Sequence, residues 1–237
     1  MGFITGLIDA IAGGGGLISV PSYMLVLGPG AEAIATNKVS AFVSTLTALY
    51  IYFRKGFVTI DGHKSFFVSV FIGAVGGAEL SQFIPSVVYK AMMVALVPLI
   101  LWVLYKRHLW VESSEKKQPR IPLMWLGFAC GVYDGVAGPG GGTFLFLSLF
   151  VMGGLPLTTA IGTAKLANVI SSFSSLVTYV ILGKVHWLVA VPATATIVVG
   201  AVIGARYATK NAAFYARAAL AVVSVVILIR LVSAYYF

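Results

Sequence analysis

Gly6-Leu7-Ile8-Asp9-Ala10-Ile11-Ala12-Gly13-Gly14-Gly15-Gly16 and Gly131-Val132-Tyr133-Asp134-Gly135-Val136-Ala137-Gly138-Pro139-Gly140-Gly141-Gly142 are two copies of one pattern, G-x-x-D-x-x-A-G-x-G-G. Each sets an aspartate about one helical turn before a run of glycines, inside an otherwise apolar stretch. Glycine runs free backbone N–H and C=O groups that lipid cannot satisfy, so such a break persists only where protein or a watery cavity surrounds it. Paired breaks at matching places in two halves point to a transport site.

The surrounding composition places these breaks in a membrane. The 237 residues are 59% hydrophobic and only 10% charged, too apolar for a soluble domain of this length. Apolar stretches near the ~20 residues of a spanning helix run over Ala31–Phe53, Ser65–Ile84, Val87–Tyr105, Pro156–Leu182, Trp187–Ala208 and Ala212–Phe237. The expected fold class is therefore all-α: a polytopic membrane protein with six spans and two glycine-broken, re-entrant helix pairs. The net charge of +9 lies scattered through short loops, which suits membrane orientation and not a nucleic-acid partner. A lone Cys130 excludes an intramolecular disulfide, and His63, His108 and His186 share no ligand spacing. No Lys-Ser or Lys-Thr follows the glycines, so no nucleotide site is indicated. No metal and no cofactor are expected.

Beyond the breaks, Ala33-Ile34-Ala35-Thr36-Asn37-Lys38 matches Ala160-Ile161-Gly162-Thr163-Ala164-Lys165. The aspartates are 125 residues apart and the lysines 127, a small insertion between them. The later spacing then holds, pairing Tyr52 with Tyr179, Gly56 with Gly183, Gly73 with Gly200 and Gly77 with Gly204. An internal repeat explains these matches, with residues 1–105 as the first transmembrane repeat, 106–120 as a cytoplasmic linker and 121–237 as the second repeat. The first arm, Met1 to Ala12, is shorter than its counterpart Ile121 to Ala137, as in a truncated or internal start. The apolar N-terminus runs into the glycine motif with no small-residue cleavage site.

Loop charge orients the halves. Arg54, Lys55 and Lys64 share a side with the linker's Lys106, Arg107, Lys116, Lys117 and Arg120, the cytoplasmic side by the positive-inside rule. In the second half the counterpart of the first loop keeps only Lys184, whereas Arg206, Lys210 and Arg217 occupy the counterpart of the poor loop near Lys90. The swap predicts inverted repeats, each with three spans plus a broken element that enters and leaves on one side. Fully crossing broken elements would make the repeats parallel instead.

The residues that would carry chemistry repeat as well. An ionised Asp9 or Asp134 in a span is costly unless paired or hydrated; the plain alternative is a capping or packing role. Lys38 and Lys165 would snorkel to a nearby interface in the plain reading. Against that, Lys165, Asn168, Ser172, Ser175 and Tyr179 fall on one helical face, a polar stripe that Lys38, Ala41, Thr45, Ala48 and Tyr52 repeat in part. A helix beginning after a glycine run offers free N–H groups and its positive dipole end to an anion. The expected site therefore holds an anion on Gly14, Gly15, Gly16, Gly140, Gly141 and Gly142, with Asn37, Lys38, Lys165 and Asn168 beside it and Asp9 and Asp134 as coupling or structural groups. Glu79 and Arg206 occupy equivalent helix-end positions and are read as interfacial. Two intramembrane aspartates also raise an aspartyl protease, but its second signature, an aspartate directly after Gly-x-Gly, is missing.

Gly6 to Gly16 running into Leu17 to Pro21, Ala35-Thr36-Asn37-Lys38, Tyr133-Asp134-Gly135 with Gly138-Pro139, and Ala164-Lys165-Leu166 resemble the TauE/SafE sulfite exporter (toluene sulfonate uptake permease) family and, within it, its YfcA-like membrane transporters. The resemblance covers essentially the whole chain. It implies a non-enzymatic, multi-pass permease of the bacterial inner membrane for sulfur-containing or organic anions such as sulfite, sulfonates or sulfoacetate. The residues alone reach an anion-selective secondary carrier, proton coupling being one expectation and a voltage-driven channel or facilitator the alternative. Expected partners are the lipid bilayer and a small anionic substrate, with a homo-oligomer left open.

Overall fold

The computed structural model describes residues 2–89, 91–92 and 122–210 of the chain. Among them every regular element is helical: α1 (Gly2–Ala12), α2 (Gly16–Leu27), α3 (Ala31–Arg54) and α4 (Lys64–Ser81), then α5 (Leu123–Val136), α6 (Gly141–Leu147, continued by a π turn, Ser148–Met152), α7 (Leu157–Ile181) and α8 (Trp187–Ala208). Beyond a helical start at 86–89 and 91–92, the expected spans Val87–Tyr105 and Ala212–Phe237 and the linker 106–120 lie outside the described residues.

Helix lengths follow the two kinds of element read from the sequence. α3 and α7, with 24 and 25 residues, extend ~36–38 Å and exceed a ~30 Å hydrocarbon core. α1 and α5, with 11 and 14 residues, reach only ~16–21 Å. Both short arms stop at a glycine with positive φ, Gly13 at 75° and Gly138 at 80°, a left-handed conformation that glycine adopts without a Cβ penalty.

Three helices among the described residues, α4, α7 and α8, are long and apolar enough to cross a membrane. α3 has the length, but Glu32, Lys38, Arg54 and its hydroxyl residues dilute its apolar character. Among the described residues, large apolar side chains face outward while charged ones are buried: Leu188, Ile181 and Phe83 are 94%, 79% and 77% exposed, whereas Lys38, Lys165, Asp134 and Asp9 are buried. Large apolar side chains turned outward over so much surface belong against lipid.

The two halves interlock. α4 of the first half packs along α5 of the second, and α8 of the second packs along α1 of the first; these are the most extensive helix pairings. Each depends on glycines that bring backbones together. A Cβ on Gly131 would lie 3.0 Å from the Ala74 nitrogen, and one on Gly6 would lie 2.9 Å from the Ala201 nitrogen, the same contact with the halves exchanged. Gly73 and Gly77 face Val132 as Gly200 and Gly204 face Leu7, the close packing expected of small residues four apart. Gly131→Leu is accordingly expected to force α4 and α5 apart, at a cost of about 1–3 kcal/mol or more, and to remove the monodisperse peak in detergent size exclusion. Gly76→Leu, where nothing lies within 4 Å, is expected to keep that peak.

The loops repeat the exchange. Phe57 N–H donates to Tyr52 O at 3.1 Å and Lys184 N–H to Tyr179 O at 3.0 Å, closing the same turn after α3 and α7. Thr59 N–H donates to Thr163 Oγ1 and His186 N–H to Thr36 Oγ1, each at 3.1 Å. Each of these two loops therefore ties down the first turns of the other half's long helix.

Candidate functional site

The breaks meet each other. Gly13 lies against Gly142, with a Cβ at Gly13 falling 2.7 Å from the Gly142 carbonyl carbon, and Gly16 lies against Gly138 and Pro139. Only residues without side chains allow this approach. The amide N–H groups of the buried Gly14, Gly15, Gly140 and Gly142 have no hydrogen-bond acceptor among the described residues. They are the orphan donors that helix starts leave.

Around the breaks, the four ionisable groups of the repeat are brought together crosswise. Lys38 on α3 donates from Nζ to Asp134 Oδ2 on α5 at 2.8 Å, with side-chain exposures of 1% and 4%. Lys165 on α7 lies 3.6 Å from Asp9 Oδ2 on α1 and donates to the Asp9 carbonyl oxygen. Each lysine thus answers the aspartate of the other half. Neither ammonium snorkels to an interface, because burying the partner carboxylate without it would leave an uncompensated charge. The Lys165 ammonium thereby meets the last turn of α1, at the negative end of that helix's dipole.

Hydroxyls complete the carboxylate shells. Ser171 Oγ donates to Asp134 Oδ2, and Thr45 Oγ1 donates to Asp9 Oδ2 at 3.2 Å. Asn168 Nδ2 donates to Thr45 Oγ1 at 3.4 Å, and Ser172 Oγ to Asn168 Oδ1 at 3.5 Å. Tyr52 Oη donates to Ala10 O at 3.3 Å and Tyr179 Oη to Gly135 O at 2.7 Å, so each half's tyrosine holds the carbonyl just after its own aspartate. Neither aspartate is hydrogen-bonded to the other among the described residues; each is engaged by a lysine and a hydroxyl.

A cavity of about 10 Å³ opens at this meeting point, lined by Gly13, Gly142, Lys165 and Asn168 with Phe146, Ile161 and Ala164. That is room for about one water. Of the site residues expected from sequence, Gly142, Lys165 and Asn168 line the cavity. Lys38, Asp9 and Asp134 lie in the surrounding ion pairs. Gly14, Gly15, Gly16, Gly140 and Gly141 belong to the breaks without lining it, and Gly15 and Gly141 instead close over the Asp9 and Asp134 side chains. Asn37 is buried but is not part of the lining. Gly13, Ser171 and Ser44 were not singled out by sequence reasoning. Gly13 was visible as the first glycine of its run, and Ser171 stands one position from the polar stripe.

Outside this core, Glu79 and Arg206 are exposed near the ends of α4 and α8, as expected of interfacial residues. Cys130 packs 3.5 Å from Ser148 Oγ. His186 Nε2 meets Glu32 Oε2 at 2.9 Å on the exposed surface.

The comparisons with known proteins cover the same architecture end to end. The family described as sulfite exporter TauE/SafE matches residues 1–231. The probable membrane transporter protein YfcA of Escherichia coli K12 is 32% identical over 209 residues, spanning 87% of this chain and 76% of that protein. A probable membrane transporter, ORF9, of a Sinorhizobium species is 30% identical over 233 residues, 98% of this chain and 89% of its own length. A probable membrane transporter of Haemophilus influenzae is 32% identical over 211 residues, 87% of this chain and 82% of its own. No solved structure matches.

Proposed function

We propose that this chain, which belongs to the sulfite exporter TauE/SafE family of membrane transporters, carries small sulfur-containing or organic anions such as sulfite, sulfonates or sulfoacetate through the core where its glycine breaks meet. The observation that carries this reading is the pair of crossed lysine–aspartate bridges buried beside unpartnered glycine amides. Two ammonium groups and a cluster of backbone N–H groups at the ends of broken helices favour an anion, and the aspartates keep the empty core neutral. Sulfur enters through the family description; the core itself argues only for a small anion.

The host membrane in this reading is the bacterial inner membrane, crossed several times, with the repeats inverted. The swapped loop charge supports inversion; the exchange of contacts between the halves fits a two-fold axis in either direction. A cavity with room for about one water beside the crossed bridges suits a carrier that must rearrange to admit its substrate.

An anion added to two lysines and two aspartates leaves net negative charge in a poorly hydrated place, which a proton entering with it would neutralise. Asp9, whose side chain is 12% exposed and less tightly bridged than Asp134, is the better candidate to carry that proton. Asp9→Asn is expected to keep anion exchange while net flux loses its response to a pH gradient. The reading is tested on the purified chain by thermal stabilisation. Sulfite, sulfoacetate or toluene sulfonate at 100 times its Kd should add about 2.7 kcal/mol, whereas chloride at the same ionic strength adds none. If none of the sulfur anions stabilises the protein, the substrate class is wrong.

A further inference from the structure

The two lysine–aspartate bridges are built from equivalent residues but are not equally satisfied. Asp134 Oδ2 receives Lys38 at 2.8 Å and also the Ser171 hydroxyl. Asp9 Oδ2 receives Thr45 at 3.2 Å and has Lys165 only at 3.6 Å, because Lys165 turns to the Asp9 main-chain oxygen. The residue 127 positions before Ser171 is Ser44. It is 1% exposed, and its hydroxyl has no hydrogen-bond partner among the described residues. A buried hydroxyl without a partner is costly and calls for a reason. The cavity is equally one-sided, since it is lined by Lys165 and Asn168 and not by Lys38.

We propose that Lys165 alone takes the anion and that Ser44 is a positioning residue for Asp9, donating to that carboxylate when Lys165 turns from Asp9 to the substrate. The proposal rests on the anion-transport reading above. If Lys165 swings into the cavity, Asp9 retains Thr45 and gains Ser44, one hydroxyl donor in place of one distant ammonium. If Lys38 left Asp134, the Ser171 donor would already be in use, and Ser172, the counterpart of Thr45, is turned to Asn168 Oδ1 at 3.5 Å. The half with the unused donor is therefore the half that releases its lysine, and the Lys38 bridge stays closed while the anion is bound. Ser44 acts through Asp9 and need not touch the substrate.

The test compares Ser44→Ala with Ser171→Ala in the full chain, using sodium sulfite and sodium sulfoacetate as probes. Kd is read from thermal-shift titration, and KM and kcat from initial rates in proteoliposomes. Ser44→Ala is expected to leave the anion-free melting temperature unchanged or slightly raised, since it removes an unsatisfied hydroxyl, and to raise Kd and KM roughly tenfold, the loss of one hydrogen bond to a charged group. Ser44→Thr, which keeps the hydroxyl, is expected to recover most of that affinity. Ser171→Ala is expected to do the reverse, lowering the anion-free melting temperature with little change in Kd. Wild-type Kd and KM in Ser44→Ala, or equal rises in both variants, would overturn the assignment while leaving anion transport standing. A wild-type protein that neither binds nor moves either probe would overturn the transport reading and the assignment together.

Discussion

Lys38→Ala destabilises the folded protein by about 3–5 kcal/mol, the cost of stripping one partner from a buried ion pair. Lys38 and Asp134 are 1% and 4% exposed at the side chain and 2.8 Å apart. Without the ammonium, Asp134 keeps a single hydroxyl donor and sits under Gly141, where no side chain can move in to help. Removing both charges tells a different story. Lys38→Met combined with Asp134→Leu relieves the desolvation on both sides, and well-packed apolar replacements of buried pairs are often neutral. The double variant is therefore expected to recover most of the melting temperature that Lys38→Ala loses, measured in detergent without substrate. If Lys38→Ala melts like the wild type, the bridge is not holding the halves together and the lysine is free to snorkel.

Lys165→Ala has its largest effect on function. Its bridge to Asp9 is long, and Asp9 keeps Thr45, so stability falls less than in Lys38→Ala. The substrate, by contrast, loses the ammonium that lines the cavity among the described residues. Truncating one partner of a buried charged pair commonly costs 2–5 kcal/mol of binding, so anion affinity is expected to fall on the order of 100-fold. Lys165→Arg is expected to restore only part of it, because a planar guanidinium does not reproduce the compact ammonium that meets both the carbonyl and the carboxylate of Asp9. Titrating sulfite against both variants by thermal shift checks this. A Lys165→Ala protein that is still stabilised at wild-type sulfite concentrations would remove the lysine from the site.

Much of this arrangement is visible in the sequence. The repeated Asp-to-glycine spacing located both breaks, and the shift from 125 to 127 residues aligned Lys38 with Lys165, Tyr52 with Tyr179 and the packing glycines of α4 with those of α8. The three helices long and apolar enough to span, and the long polar α3, lie where apolar runs were expected. The crosswise pairing was not legible. A 3.6-residue period shows which face of α3 is polar but not which helix lies against it, so Lys38 gave no sign that its carboxylate belongs to the other half.

Ser44 and Ser171 were hidden for a related reason. They neighbour Thr45 and Ser172, which fit the polar stripe, and adjacent helical positions point about 100° apart, given 3.6 residues per turn. Ser171 nonetheless reaches Asp134, because that carboxylate comes from α5 on the flank of the stripe. Asn37 stands beside Lys38 in the sequence and is buried, but it does not line the cavity. The hydrogen bonds from Thr59 and His186 to Thr163 and Thr36 involve a main-chain donor in each case, which no residue type announces.

The claim that an anion passes through the crossed core is tested most directly by sulfite flux into proteoliposomes, with the pH gradient and the membrane voltage set separately. The wild-type chain should give saturable sulfite uptake that rises with an inwardly directed proton gradient at zero voltage and is competed by sulfoacetate; Lys165→Ala should fall to the level of empty liposomes. Uptake that follows voltage alone would make the protein a facilitator. Lys165→Ala flux equal to the wild type would place the anion's path outside the crossed core and contradict the account.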